Sequence, residues 1–190
     1  MAETPSSMIP LGTKAPYFKL FDTHSGKYIS LDDVKSEVAT VVMFLCNHCP
    51  YVRHIHDYLI AFVEAYQAKN VSFIAICSND AKAYPADSPE KMHELSEKAH
   101  YTFPYLYDET QEVAKAYHAA CTPDFFVFDK NLHCVYRGRF DDATPGSSRK
   151  PSGADLGAAL DQILTGQPVD SQQLPSIGCN IKWKKNSNKV

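Results

Sequence analysis

The chain has 190 residues, 44% hydrophobic and 22% charged, a balance that describes a globular protein long enough to bury one full core. A formal net charge of -3 gives no reason to expect nucleic acid as a partner, and no apolar run approaches the ~20 residues of a membrane span. The six cysteines, at 46, 49, 77, 121, 134 and 179, are too sparse for a secreted disulfide framework, and the opening residues show neither a basic n-region nor an apolar h-region, so a cytoplasmic location is expected.

In chain order, residues 17–21 and 27–31 alternate enough to form two short strands around the turn at 22–26. Residues 38–45 are a continuous β-branched and apolar run, the pattern of a strand buried on both faces. Pro50 suits the first turn of a helix, where its missing N–H costs nothing, and Val52, Ile55, Leu59, Phe62, Val63 and Tyr66 then recur at three and four. A second buried strand at 71–77 completes a β-α-β unit with parallel strands. Ser88-Pro89 opens another helix, and Asp108 to Gln111 resembles a capping box for a short helix through Tyr117. Residues 125–128 and 134–139 read as an antiparallel hairpin, and 153–164 as a last helix closed by Gly166. Beyond Pro168 the chain is polar and irregular. Its end carries the only tryptophan, Trp183, together with Ile177 and Ile181, and these are expected to anchor it. The expected organisation is therefore one α/β domain over 1–167, and a tail over 168–190 packed on it.

Cys46-Asn47-His48-Cys49 falls where the 38–45 strand meets the helix opened by Pro50. Unpaired backbone N–H groups and the helix dipole favour an anion there, and such placement lowers a cysteine pKa from ~8.5 toward ~3.5–7.5. On that reasoning Cys46 is the attacking nucleophile and Cys49, about one turn on, the resolving thiol. His48 lies inside the pair and would favour the Cys46 thiolate; Arg53, a turn past Cys49, is a candidate stabiliser. The bland reading of the same motif is half a zinc site. Zinc wants a second pair of ligands at similar spacing, and the sequence has no second C-x-x-C and no H-x3-5-H. His54 and His56, two apart on a helix, cannot both face Cys46. No metal or other cofactor is expected, but a zinc- or copper-binding module using Cys46, Cys49 and Cys121 or a histidine remains the alternative from another class. Cys77 and Cys134, within strands, are read as packing residues.

The order of elements resembles the thioredoxin plan: a central mixed sheet flanked by helices, with an N-terminal β-hairpin and a C-terminal tail. The motifs Gly12-Thr13-Lys14-Ala15-Pro16-Tyr17-Phe18, Phe44-Leu45-Cys46-Asn47-His48-Cys49-Pro50-Tyr51-Val52, Cys121-Thr122-Pro123-Asp124, Arg137-Gly138-Arg139 and Ser176 through Trp183 resemble the peroxiredoxin-like group of the alkyl-hydroperoxide-reductase/thiol-specific-antioxidant (redoxin) branch of the thioredoxin superfamily. The resemblance implies that the Thr122–Pro123 bond is cis, lies against the dithiol, and offers the Thr122 backbone to a bound thiol substrate. A histidine at position 48 resembles the motif of strongly oxidising disulfide oxidoreductases. True peroxiredoxins carry Pro-x-x-x-Thr-x-x-Cys, whose cysteine corresponds to Cys49; here Val42 and Cys46 stand in the proline and threonine places. Peroxiredoxin relatives often resolve an oxidation with a distant cysteine, which makes Cys179 and Cys121 candidate additional redox residues.

These readings predict a thiol-disulfide oxidoreductase acting on a protein or small-molecule disulfide, with a cellular thiol reductant, no nucleic acid and no membrane partner. A thiol peroxidase is the second enzyme reading. Oligomeric state, physiological substrate and direction of electron flow are not written in the sequence.

Overall fold

The computed structural model describes residues 3–185. Ten strands run in chain order: β1 (Glu3–Pro5), β2 (Lys19–Asp22), β3 (Tyr28–Ser30), β4 (Ala39–Phe44), β5 (Val71–Cys77), β6 (Tyr105–Tyr107), β7 (Cys121–Thr122), β8 (Asp124–Asp129), β9 (Cys134–Gly138) and β10 (Ile177–Asn180). Among them lie α1 (Leu31–Val34), α2 (Pro50–Gln67), α3 (Pro89–Lys98), α4 (Glu112–Ala116) and α5 (Ala154–Leu164), with a 3-10 turn at Pro85–Asp87. Seven strands form a mixed sheet in the order β3-β2-β6-β5-β4-β8-β9. Within it β4–β5 and β5–β6 are parallel, and the remaining neighbours antiparallel.

β4 lies inside the sheet, between β5 and β8, with all six of its residues buried, and a strand alternates its side chains between the two faces. Val41 and Met43 enter one core with Val52, Ile55 and Leu59 of α2, Met92 of α3 and Leu156 and Leu160 of α5. Val42 and Phe44 enter the other with Leu31 of α1, Ala114 of α4 and the aromatic pair Tyr117 and Phe126. Pro50 opens α2, and the Ser88 side chain caps α3 by accepting from the Lys91 amide at 3.4 Å. At α4 the expected capping box shifts. Gln111, in the left-handed region at φ 65°, precedes the helix, and the buried Asp108 carboxylate reaches past it to the amides of Val113 and Ala114.

The sequence reading assigns neither α1 nor the strands β1, β6, β7 and β10. β6 takes in two tyrosines, Tyr105 buried and Tyr107 partly so. The tail is not irregular throughout: β10 forms the middle of a second sheet, β1-β10-β7, antiparallel to both neighbours. Its apolar anchor is also narrower than expected. Ile181 is 1% exposed, but Ile177 and Trp183 stand 46% and 42% exposed. Hydrogen bonds supply the rest of the hold, from Ser176 Oγ to the Gly138 carbonyl at 2.7 Å and from the Lys182 amide to Asn79 Oδ1 at 2.8 Å. Among the described residues, no helix is long and apolar enough to cross a membrane.

Candidate active site

β4 ends at Phe44, α2 begins at Pro50, and the four residues of the dithiol turn occupy the connection. Cys46 and Cys49 are 1% and 0% exposed, both as free thiols. The Thr122–Pro123 peptide is cis and packs directly against them. Cys46 Sγ lies 3.3 Å from Thr122 Oγ1, and the Cys49 thiol donates to the Thr122 carbonyl at 3.2 Å. Cys46 also lines a cleft of about 580 Å3 with Asn47, Val52, Arg53, Leu95 and Lys98 among its walls; Cys49 does not.

The two thiols are electrostatically unequal. Donation from the Cys46 thiol draws the Cys49 pKa down to about 5 against the opposing effect of burial, helped by the Cys179 thiol and by the amides of Val52 and Cys179. The same shared proton, with burial and the nearby Asp87 charge, holds Cys46 well above the ordinary thiol range. The low pKa thus falls on Cys49, not on Cys46 as the sequence position suggested. The largest cause is the proton offered by Cys46; the place of Cys49 as N-cap residue of α2, near the Val52 amide, adds a smaller share. The pair carries one easily lost proton between two sulfurs, a coupled titration belonging to both. A Cys49 thiolate faces some repulsion from the Thr122 carbonyl, and the two thiols and two amides outweigh it.

His48 does not serve the Cys46 sulfur as expected. Its Nδ1 lies 2.5 Å from Asp87 Oδ2, its ring stacks on Tyr84 at 5.4 Å between centroids, and its buried Nε2 has no partner among the described residues. Asp87 is the residue that sequence reasoning missed. Fully buried in the 3-10 turn, it accepts from the Asn47 amide at 2.8 Å, the His48 amide at 3.3 Å and the Asn79 side chain at 2.7 Å. Burial alone would raise its pKa, but the bonds from His48, Asn79 and Asn47 hold it below the usual carboxylate value. Asp87 therefore ties the dithiol turn to the end of β5, and Asn79 in turn holds the tail through the Lys182 amide. Cys46, His48 and Asp87 present ligand atoms within 4.8 Å of one another, so this cluster, not one containing Cys121, is the place where the residues could hold a metal ion.

The remaining expected residues separate. Arg53 is exposed on the cleft wall and is not among the groups that shift either thiol. Cys121 is paired with Asn180, while the adjacent register position pairs Thr122 with Cys179, so strand alternation turns Cys121 to the opposite face. Its thiol lies 3.8 Å from the Pro123 carbonyl, and burial pushes its pKa far up. Cys179 lies on the Thr122 face, where its thiol and amide both bear on the Cys49 sulfur. Cys77 and Cys134 are buried within β5 and β9, their pKa values raised by desolvation, as packing thiols should be.

The fold recurs in known proteins. The chain is similar to an uncharacterised conserved protein from Geobacillus kaustophilus, at 54% identity over 98% of this chain and 99% of that one, with a TM-score of 0.96. It is similar to a hypothetical protein from Sinorhizobium meliloti 1021 at 45% identity over 96% and 100% of the two chains, TM-score 0.93. The thioredoxin domain of a thiol-disulfide oxidoreductase from Bacteroides vulgatus shares the fold, at 19% identity over 68% of this chain and 88% of that one, TM-score 0.57. No curated protein matches the chain. The model of the AhpC/TSA family matches residues 11–137, a stretch that holds the dithiol, Asp87 and the cis-proline loop. The chain has a thioredoxin-like fold, and with two thirds of its length inside that match it belongs to the AhpC/TSA family.

Proposed function

We propose that the protein is a thiol-disulfide oxidoreductase in which Cys46 exchanges with substrate and Cys49 completes the reaction. The observation that carries this reading is the division of labour between the two sulfurs: Cys46 lines the cleft, while Cys49 lies behind it with the stabilised negative charge. A substrate disulfide enters the cleft. As Cys46 Sγ bonds to one substrate sulfur, its proton passes to Cys49 and the other substrate sulfur leaves as a thiolate. Cys49 then attacks Cys46 Sγ and gives up the proton it accepted; the Cys46–Cys49 bond forms, the bond from Cys46 to the substrate sulfur breaks, and that second substrate sulfur leaves carrying the proton. Two protein thiols are oxidised and one disulfide is reduced, through a mixed disulfide. Run backwards, the same steps oxidise a substrate dithiol. The Thr122 backbone, expected to receive a substrate, is already paired with Cys179 of β10, so the substrate would meet Cys46 along the cleft walls. A small-molecule or protein disulfide with a cellular thiol as the reductant fits this cycle.

The test is trapping. With a mixed peptide disulfide as substrate, Cys49→Ser should accumulate a covalent adduct on Cys46, and Cys46→Ser should form none. An adduct on Cys49 in Cys46→Ser and none in Cys49→Ser would reverse the roles, and no adduct in either would overturn the proposal.

One observation favours a second reading. The depressed pKa falls on Cys49, the position that corresponds to the peroxide-attacking cysteine of true peroxiredoxins, so a thiol peroxidase would use Cys49. Val42 and Cys46 in place of the orienting proline and threonine, and the absence of Cys49 from the cleft, weigh against it. Stopped-flow oxidation by hydrogen peroxide at a peroxiredoxin-like rate, lost in Cys49→Ser, would make this the primary activity. A stoichiometric metal in protein purified without chelator, lost in His48→Ala, would instead support the metal-binding alternative.

A further inference from the structure

We propose that Cys179 is a third redox cysteine, which takes the disulfide over from Cys46–Cys49 by exchange at Cys49. The inference rests on the oxidoreductase reading above and adds an internal step to it.

Three independent features place Cys179 at the dithiol. β10 brings it into register with Thr122, the residue that contacts both active-site sulfurs, and strand alternation sets the two side chains on one face. Gly178, the preceding residue, permits the close approach. A Cβ built there would lie 2.0 Å from the Thr122 carbonyl oxygen and 2.7 Å from its carbon, so any side chain would force the strand off the cis-proline loop. The segment is also fixed from both ends, by Ser176 on the Gly138 carbonyl and Lys182 on Asn79, with Cys179 itself 3% exposed. Cys49 is consequently the middle sulfur of three. Cys46 reaches it from the cleft side, and Cys179 reaches it from the tail strand.

The step balances within the chain. Cys179 Sγ attacks Cys49 Sγ of the Cys46–Cys49 disulfide; the Cys49–Cys179 bond forms, the Cys46–Cys49 bond breaks, and Cys46 leaves as a thiolate that takes the proton Cys179 gives up. No electrons enter or leave. The oxidised equivalent moves from the cleft to the tail, and Cys46 returns to the cleft as a thiol. In the reduced protein, burial and the neighbouring Cys49 thiolate push Cys179 up to about 12, which keeps it idle. Closing Cys46–Cys49 removes the Cys49 charge and with it that part of the restraint, so Cys179 becomes the better nucleophile only after the first disulfide has formed.

The experiment titrates wild type, Cys46→Ser and Cys179→Ser with oxidised glutathione, quenches in acid, denatures, alkylates free thiols and maps disulfides by peptide mass spectrometry. The expected result is a Cys46–Cys49 bridge in Cys179→Ser, both bridges in wild type with Cys46 alkylated in molecules bridged at Cys49–Cys179, and neither bridge in Cys46→Ser, which lacks the sulfur through which oxidation enters. If Cys179→Ser closes Cys46–Cys49 while wild type never shows a Cys49–Cys179 peptide, the relay is overturned and the oxidoreductase reading stands. A bridge to Cys121 in place of Cys179 also overturns it. If Cys46–Cys49 fails to close even in Cys179→Ser and wild type, the oxidoreductase reading falls and the relay falls with it. The wild-type arm decides the matter should a substituted chain fail to fold.

Discussion

Asp87 shows how one buried carboxylate organises a redox turn. It accepts bonds from two consecutive amides of the dithiol, from the His48 ring and from Asn79, so all of its neighbours are donors. Removing it leaves those donors unpaired in a buried site, where each costs about 1–3 kcal/mol. Asp87→Ala is therefore expected to lower unfolding stability by on the order of 3 kcal/mol, measured by urea denaturation of the reduced protein. It should also shift the alkylation of Cys46 to lower pH, since the Asp87 charge is one of the influences that raises the Cys46 pKa. An unchanged denaturation midpoint would remove Asp87 from the architecture of the site. The sequence revealed the two cysteines, His48 and the Thr122–Pro123 loop because each sits in a local pattern. Asp87 lies 40 residues beyond the Asn47 amide that it binds, and its own surroundings signal only the start of a helix at Ser88. Contacts of that kind carry no periodicity or spacing from which to read them.

Among elements, the long ones were legible and the short ones were not. β4, β5, α2 and α5 each repeat their apolar pattern for long enough to fix type and place, with observed ends within one residue of the expected ones, while α3 was marked only by its cap. β1, β6 and β7 have three, three and two residues, too few for alternation to register. β10 was concealed for another reason. Its exposed ends, Ile177 and Asn180, and its glycine break the apolar pattern, because what holds the strand is backbone pairing on both edges. The glycine is the signal that sequence reading could use, and the structure gives it a reason. Gly178→Ala must displace β10 or the Thr122 carbonyl, a cost of about 1–3 kcal/mol for a forced contact of this kind. The variant is expected to lose that stability and to lower the yield of the Cys49–Cys179 bridge while Cys46–Cys49 still closes. A Gly178→Ala protein with wild-type stability would show that the strand does not press on the loop.

At the scale of the whole molecule, the dithiol couples folding to pH. A group whose pKa is depressed by folding contributes stability above its unfolded pKa, and loses that contribution as pH falls through its folded value. For Cys49 the window runs from about 5 in the folded protein to ~8.5 in the unfolded chain, so the reduced protein should gain stability as pH rises across it. Cys46 does not oppose the trend inside this window, because its raised pKa matters only once the unfolded thiol ionises, above ~8.5. Asp124 does oppose it. Fully buried, with Oδ2 unpartnered among the described residues, its carboxyl is pushed well above the usual range, and its contribution falls as pH rises above the unfolded carboxylate value. The raw pH profile of the reduced protein therefore mixes two opposite slopes. The difference between reduced and oxidised forms separates them, because Asp124 is present in both and the Cys49 thiolate only in one. We expect urea denaturation to show the reduced form gaining on the oxidised form from pH 5 to pH 8, and the reduced wild type gaining on reduced Cys49→Ser over the same range. A thiolate stabilised by the fold also favours the reduced state at equilibrium, which makes the disulfide a readier oxidant relative to an ordinary thiol couple as pH rises through the same window. A difference that is flat between pH 5 and 8 would mean that neither sulfur is held as a thiolate, and the electrostatic division between Cys46 and Cys49 would go with it.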